Sequence, residues 1–320
     1  MDVVSDAIAA VRVGRPSSDR MRVEGSWCAR FAAYEGAGFH VVLEGGCWLL
    51  PDGGPPVSLG AGDAVLLPHG TGHVIADGPA DAAAVARAVP FESVAEAWRG
   101  PGRPGGGTGA VEMLCGKYRL DRSRAHPLMA ELPPVVHLPN RVGSHPELRS
   151  AIDLLGRELC GQRPGAGIAV PSLLDLLLVY MVRSWLTAGG AAGGWPAVLG
   201  DPVAAAALRA LHADPAAPWT NDRLAAQAGV SRPTLARRFT ALVGRPPMAY
   251  LTWWRLNLAA ARLRNTEEPL AVVARRVGYG TPYALSHAFS REFGTTPGRY
   301  RALRAADATP AGQAASSGSA

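Results

Sequence analysis

Residues 221–244, NDRLAAQAGVSRPTLARRFTALVG, and residues 270–294, LAVVARRVGYGTPYALSHAFSREFG, are two helix-turn-helix signatures about fifty residues apart, joined by one predicted helix. Each has an apolar leading helix, a glycine at the turn (Gly229, Gly278) and a second, amphipathic helix. Two such units imply one protein reading two successive major-groove segments of DNA. Groove segments on one face recur about every 34 Å, a span that a rigid connecting helix can bridge.

In the first unit Thr220 or Asn221 can cap the leading helix, whose amides can then meet a phosphate. Leu224, Ala225 and Ala228 face inward, Ser231 caps the recognition helix, and Leu235, Phe239 and Leu242 form its buried side. Arg232, Pro233, Ala236 and Arg237 lie opposite. A groove-facing arginine can donate two hydrogen bonds to guanine, worth roughly 1 to 3 kcal/mol of discrimination, and Arg237 is the first choice for that contact. Arg232 and Arg238 suit phosphate, which orients without specifying sequence.

In the second unit Val272, Val273 and Val277 pack the first helix, and the recognition helix starts near Pro282 with Leu285, Phe289 and Phe293 inward. Tyr283, Ser286, His287 and Ser290 point outward; they read bases more weakly than arginine, so this unit is expected to add affinity and shape recognition. Arg275, Arg276, Arg291 and Arg299 are phosphate candidates. Between the units, residues 248–264 follow Pro246-Pro247 and read as a helix burying Tyr250, Leu251, Trp254, Leu258 and Leu263.

Charge supports the same division. Residues 201–304 hold 15 Arg against 6 acids, whereas residues 1–200 hold 17 Lys or Arg against 19 acids. The basic end coincides with the helix-turn-helix units, as phosphate neutralisation requires. The 320-residue chain is long enough for two cores, no apolar run approaches the ~20 residues of a membrane span, and no signal peptide opens the chain, so a cytoplasmic location is expected. Cys28, Cys47, Cys115 and Cys160 form no CxxC pair and read as small buried hydrophobes.

The N-terminal half reads differently. Residues 39–44, 47–50, 57–59 and 64–67 are short apolar runs divided by GG, PDGG and AGD, the pattern of a barrel or jelly roll, and residues 111–120 resume as strand. Residues 100–109 (GPGRPGGGTG) are a loop. His145-Pro146 opens a helix with Leu148, Ile152, Leu155 and Leu159 on one face; residues 171–186 (PSLLDLLLVYMVRSWL) form a second, apolar on most sides, with Pro171 in its first turn. This pair is either a dimer interface or packs on the barrel. The expected organisation is a sensory β-barrel over 1–120, a helical subdomain over 121–190, a linker over 191–200, the DNA-binding domain over 201–304 and a disordered tail over 305–320.

Residues 200–304 closely resemble the DNA-binding domain of the AraC/XylS family of transcription regulators, with AVVARRVGY, ALSHAFSREFG and TTPGRYR in the family's order. The resemblance implies base contacts from Pro233, Ala236, Arg237, Tyr283 and His287, with Ser286, Arg232, Arg238 and Arg291 as further DNA-binding candidates. Pro233 and Ala236 are short where longer readers are common, and His287 stands where arginine is frequent, so base preference cannot be transferred. Residues 62–73 (GDAVLLPHGTGH) fit the second cupin motif, and with FHVVLEGGCWL and HPLMAELPPVVHL they look like the cupin-type sensory domain of one branch of these regulators.

In metal-binding cupins His73 would be one ligand of several, but the other ligand positions fall on Ala32, Tyr34 and Gly38, so no metal cofactor is expected. His40, Trp48, His69 and His73 are candidates to line an effector pocket. The fold class is therefore α+β: a cupin-like barrel with a helical subdomain, then an all-α domain with two helix-turn-helix motifs. The resemblance implies an effector-responsive activator without enzyme activity, whose partners are double-stranded promoter DNA, RNA polymerase and a second copy of the chain. A thiol redox sensor using Cys28, Cys47 or Cys115 and a metal-dependent cupin enzyme with a DNA-binding appendage are the alternatives.

Overall fold

The computed structural model describes residues 2–79, 85–99, 110–120, 126–141, 143–161, 163–188 and 194–307, with side chains through 302. They divide into two compact units, 7–192 and 193–320, the latter joined by residues 1–6. Helix α1 (Val3–Val11) precedes the first strand. The predicted loop at 100–109, most of the interdomain glycine stretch and the tail beyond 307 lie outside the described residues.

The N-terminal unit is built on two five-stranded sheets. Its strands are β1 (Ser17–Val23), β2 (Cys28–Phe31), β3 (Ala37–Glu44), β4 (Gly46–Pro51), β5 (Val57–Gly60), β6 (Ala64–Leu67), β7 (His73–Ala76), β8 (Val89–Pro90), β9 (Val111–Tyr118) and β10 (Val136–Leu138). One sheet runs β1-β9-β3-β6-β10 and the other β5-β4-β7-β2-β8. Both contribute to one core: Met21, Val42, Val65, Met113 and Cys115 from the first meet Cys47, Leu49, Leu59 and Ile75 from the second. The sheets form a cupin jelly roll without closing into a barrel.

Alternation decides which side chains enter that core. Along β4, Cys47 and Leu49 are buried in it, which puts Trp48 on the other face. Gly70, in the Pro-His-Gly turn of the cupin motif, has φ +60°, and a Cβ there would lie 2.0 Å from the Tyr34 carbonyl oxygen, so no other residue fits.

Helices α2 (Phe91–Trp98) and α3 (Pro127–Ala130) lie between strands, and α4 (Pro146–Leu159) and α5 (Ala166–Ala188) pack together. Leu148, Ile152 and Leu155 are buried as their spacing predicts. Two expectations are corrected. Pro171 is interior to α5, not in its first turn, because the helix begins five residues earlier at Ala166. Helix α5 is also long and apolar enough to cross a membrane by length and composition, contrary to the absence of such a run expected from sequence. In this unit Leu174, Leu177, Leu178, Met181 and Val182 are buried, Tyr118 donates its hydroxyl proton to the Leu174 carbonyl (2.7 Å), and Asp175 pairs with Arg12 (2.7 Å). Ile168 and Leu176 remain exposed.

The C-terminal unit comprises α6 (Gly194–Gly200), α7 (Pro202–Ala213), α8 (Asn221–Gln227), α9 (Arg232–Val243), α10 (Pro247–Asn265), α11 (Leu270–Arg276), α12 (Pro282–Phe293) and α13 (Pro297–Asp307). Residues 194–200, expected within the linker, are helical because Trp195 and Val198 find a buried face. Asp201 then caps α7, accepting from the amides of Val203 and Ala204 at 3.0 and 2.8 Å. Within this unit Asp6 accepts from His212 Nδ1–H (2.8 Å), and His212 Nε2 meets the Tyr250 hydroxyl (2.8 Å).

The unit repeats itself at an interval of fifty residues. Ser231, Leu235, Phe239, Gly244, Pro247 and Tyr250 in the first copy correspond to Thr281, Leu285, Phe289, Gly294, Pro297 and Tyr300 in the second. In both, the hydroxyl residue caps the recognition helix, and the leucine and phenylalanine are fully buried. In both, glycine closes the helix with φ near +80° or +65°, and the tyrosine meets the phenylalanine edge-on, 5.8 or 5.4 Å between centroids. Gly278 at the second turn is doubly constrained: its φ is +83°, and a Cβ would lie 2.8 Å from both Ala216 Cα and the Arg255 guanidinium.

Candidate DNA interface and sensory core

On α9 the buried stripe of Leu235 and Phe239 fixes which side faces outward. Arg232, Pro233 and Arg237 are exposed and Ala236 is half-buried. Ser231 Oγ accepts from Thr234 N (3.4 Å), which starts the helix at Arg232. Arg232 makes only a loose, exposed pair with Asp222 at 3.8 Å, a contact worth little that a phosphate can displace.

Arg238, grouped with Arg232 as a phosphate candidate, is committed within the protein: its Nη2 forms an ion pair with Asp201, the residue that caps α7. That pair and the two backbone amides hold the Asp201 carboxyl below its ordinary range against the opposing effect of burial, which is the largest single influence. Arg255 is likewise structural. It donates from Nε to the Pro215 carbonyl (2.7 Å) and from Nη2 to that of Ala217 (2.8 Å), clamping the approach to α8 onto α10.

On α12 Tyr283 is 87% exposed, an unusual state for a tyrosine in a folded domain. His287 and Arg291 are exposed in line with it and Ser286 is half-buried. Of the remaining phosphate candidates, Arg275 and Arg299 are exposed, whereas Arg276 pairs with Glu268 at 3.0 Å. The two outward faces thus present Pro233, Ala236 and Arg237 on one helix, and Tyr283, Ser286, His287 and Arg291 on the other.

In the N-terminal unit the four residues expected to line an effector pocket lie in different surroundings. His40 and His73 come together inside the core, Nε2 to Nε2 at 2.8 Å. His69 meets the Leu132 carbonyl at 2.6 Å, and Trp48 lies on the opposite face of its strand. Cys115, the cross-strand partner of His40, completes the buried set with its Sγ 3.0 Å from His40 Nδ1.

The hydrogen bonds fix the direction of every proton in this set. The Thr71 carbonyl can only accept, so His73 Nδ1–H donates to it (2.9 Å) and His73 Nε2 is left as acceptor. His40 Nε2–H then donates to His73, and His40 Nδ1 accepts from the Cys115 thiol. Burial acts in the same sense. It lowers His40 far below the ordinary histidine range, with neighbouring His73 adding to the effect, lowers His73 to about 4, and raises the Cys115 thiol far above its ordinary value. All three groups are neutral at pH 7. Cys47, in the same core, is pushed up to about 12, again mainly by burial.

An aromatic series leads outward from the pair. Phe31 stacks on His73 (4.8 Å) and on Phe91 (4.3 Å), Phe91 tilts against Trp98 (6.4 Å), and Trp98 meets Trp27 edge-on (5.5 Å). The last two line a cavity of about 710 Å³ beside the start of β2. No local sequence signal marked this cavity, since Trp27 and Trp98 are 71 positions apart and belong to no repeating pattern.

Comparison with known proteins matches residues 2–187 to a cupin family and residues 224–303 to a helix-turn-helix domain family. An AraC-like transcription regulator of Streptomyces antibioticus is 36% identical over 307 residues, 94% of this chain and 98% of that protein. One of Streptomyces lividans is 37% identical over 303 residues, with coverage of 94% and 98%. Among solved structures, the DNA-binding domain of the global transcriptional factor AdpA in complex with a target DNA is 34% identical, covering 34% of this chain and 96% of that one, with a TM-score of 0.32.

Proposed function

This chain belongs to the AraC family of DNA-binding transcription regulators with an N-terminal cupin domain, and from that premise we propose that it is a cytoplasmic, effector-responsive activator without enzyme activity. It binds promoter DNA sequence-specifically by laying α9 and α12 in successive major grooves, and contacts RNA polymerase from there. The observation that carries this reading is the exposure of Arg237 and Tyr283, each projected from a helix whose opposite side is locked by a buried leucine and phenylalanine. Arg237 reads a guanine, Arg232, Arg275, Arg291 and Arg299 take phosphates, and Tyr283, Ser286 and His287 fit the second groove segment. Selecting bound sequences from random DNA tests it: a defined two-part site is expected, and recovery of unselected sequence would refute it.

The cupin unit reports the effector, and the chain acts as a dimer on direct repeats. The outward side of α5, with Ile168 at 78% and Leu176 at 45% exposed, supplies a self-complementary apolar face. Ile168→Glu with Leu176→Glu is expected to convert a dimer to a monomer in sedimentation; unchanged mass would remove α5 from the interface.

A second reading, a thiol switch at Cys115, draws on its hydrogen bond to His40, and because burial keeps that thiol protonated and the imidazole a poor base, oxidation must first open this core. Mild oxidation is then expected to change DNA affinity in the wild type but not in Cys115→Ser. Equal responses would eliminate it. Elemental analysis of protein purified without chelator addresses the cupin-enzyme alternative, since stoichiometric iron, manganese or nickel would contradict the non-enzymatic reading.

A further inference from the structure

We propose that the cavity beside Trp27 and Trp98 is the ligand site of the cupin unit, and that it takes a flat, uncharged aromatic compound carrying a hydrogen-bond acceptor. Its volume, about 710 Å³, lies in the range of small-molecule sites. Val23, Ala76, Val89 and Val94 complete the apolar lining beside the two indoles, and the edge-to-face tryptophan pair is suited to hold a ring system. The acceptor answers Trp27, which is 93% buried with an Nε1–H that has no partner among the described residues; this donor is itself closed to solvent, so a ligand pairs with it only by parting the groups that cover it. Leaving such a donor unpaired is unfavourable, and a ligand carbonyl that reaches it removes that loss. At the rim Glu24 and Asp77 outnumber Arg87, so the site disfavours anions.

The position also suits a sensor. Trp98 and Phe91 both stand on α2, and Phe91 stacks on Phe31, which stacks on His73. A ligand wedged against Trp98 therefore presses on the same side chains that pack the buried His40, His73 and Cys115 set. The site deepens the effector-responsive reading and rests on it only for its regulatory meaning.

The probe pair is 9-fluorenone and fluorene, which share one flat tricycle and differ in the carbonyl, with 9-fluorenone-2-carboxylate as the anion. Equilibrium dialysis with the full chain is expected to show fluorenone bound about tenfold more tightly than either of the others. Trp27→Phe, which keeps the ring and loses the donor, brings fluorenone down to the level of fluorene; Val94→Trp, which fills the cavity from a half-buried position, abolishes both. Absence of fluorenone binding, or wild-type affinity in Val94→Trp, overturns the proposal. Titrating DNA with and without fluorenone separates the two claims. Binding that Val94→Trp abolishes, with no change in DNA affinity, upholds the site and refutes the effector reading. A DNA response that survives Val94→Trp overturns the site and leaves the effector reading standing.

Discussion

The two helix-turn-helix heads share a frame and differ in what they present. Cap, buried leucine, buried phenylalanine, closing glycine and edge-on tyrosine recur at the same fifty-residue interval. On that common frame Pro233, Ala236 and Arg237 are replaced by Tyr283, Ser286 and His287. On the proposed assignment of the readers, folding and reading occupy opposite sides of one helix, and the two sides vary independently between the heads. A rigid inner stripe holds the pose, and the outer stripe is free to change chemistry.

The sharpest way to break this comparison is to attack the frame. Phe239→Ala and Phe289→Ala, both at fully buried positions, are each expected to cost about 3 to 5 kcal/mol in urea unfolding. A difference of more than about 2 kcal/mol between them would show that the frames are not equivalent.

The cupin unit contrasts with both heads because its core holds a buried pair of histidines in direct contact. His73 binds a proton near pH 6.5 when unfolded and near pH 4 when folded, so unfolding takes up a proton between those values and stability falls as pH drops. About 3 kcal/mol of loss is expected over that window, seen as a steeper acid destabilisation of the cupin unit than of the heads. Replacing His73 with Gln should flatten that slope.

Smaller effects separate the readers. Arg237→Ala should cost roughly 1 to 3 kcal/mol of DNA affinity and relax preference at about one base position, while His287→Ala costs less and relaxes none. A uniform loss across sequences would make Arg237 a phosphate contact. Ser231→Ala and Thr281→Ala, which remove matching caps, should each destabilise by about 1 kcal/mol in thermal unfolding. Arg238→Ala should change the salt slope of DNA binding least among the arginines of α9, because its partner is Asp201.

The heads were legible in the sequence because their determinants are local. Thr220, Ser231, Gly229 and Pro282 cap, turn and start helices within a few residues of themselves, and all do so in the structure. The assignment of Arg238 to phosphate could not anticipate Asp201, 37 residues earlier, since a helical wheel shows a face but not what crosses it. In the cupin unit the apolar strands β3 to β6 and β9 could be read directly. Strand β1 could not, because SSDRMRV looks polar until its pairing with β9 turns Met21 and Val23 inward.

The candidate effector residues show the same limit. The cupin motif located His73, but nothing near it in sequence announces that His40 will meet it, that Cys115 will meet His40, or that Trp48 will face away. The tryptophan cavity depends on two elements that no periodicity connects.

The one-way proton order running from Cys115 through His40 to His73 has a spectroscopic consequence. Each imidazole is locked in the opposite tautomer, His73 carrying its hydrogen on Nδ1 and His40 on Nε2. Their ring nitrogens should therefore give two mirror-related pairs of ¹⁵N resonances that stay fixed across neutral pH. An oxidised sulfur at Cys115 would remove the donor to His40 Nδ1 and is expected to shift the His40 resonances first, while the Thr71 carbonyl holds His73 in its tautomer.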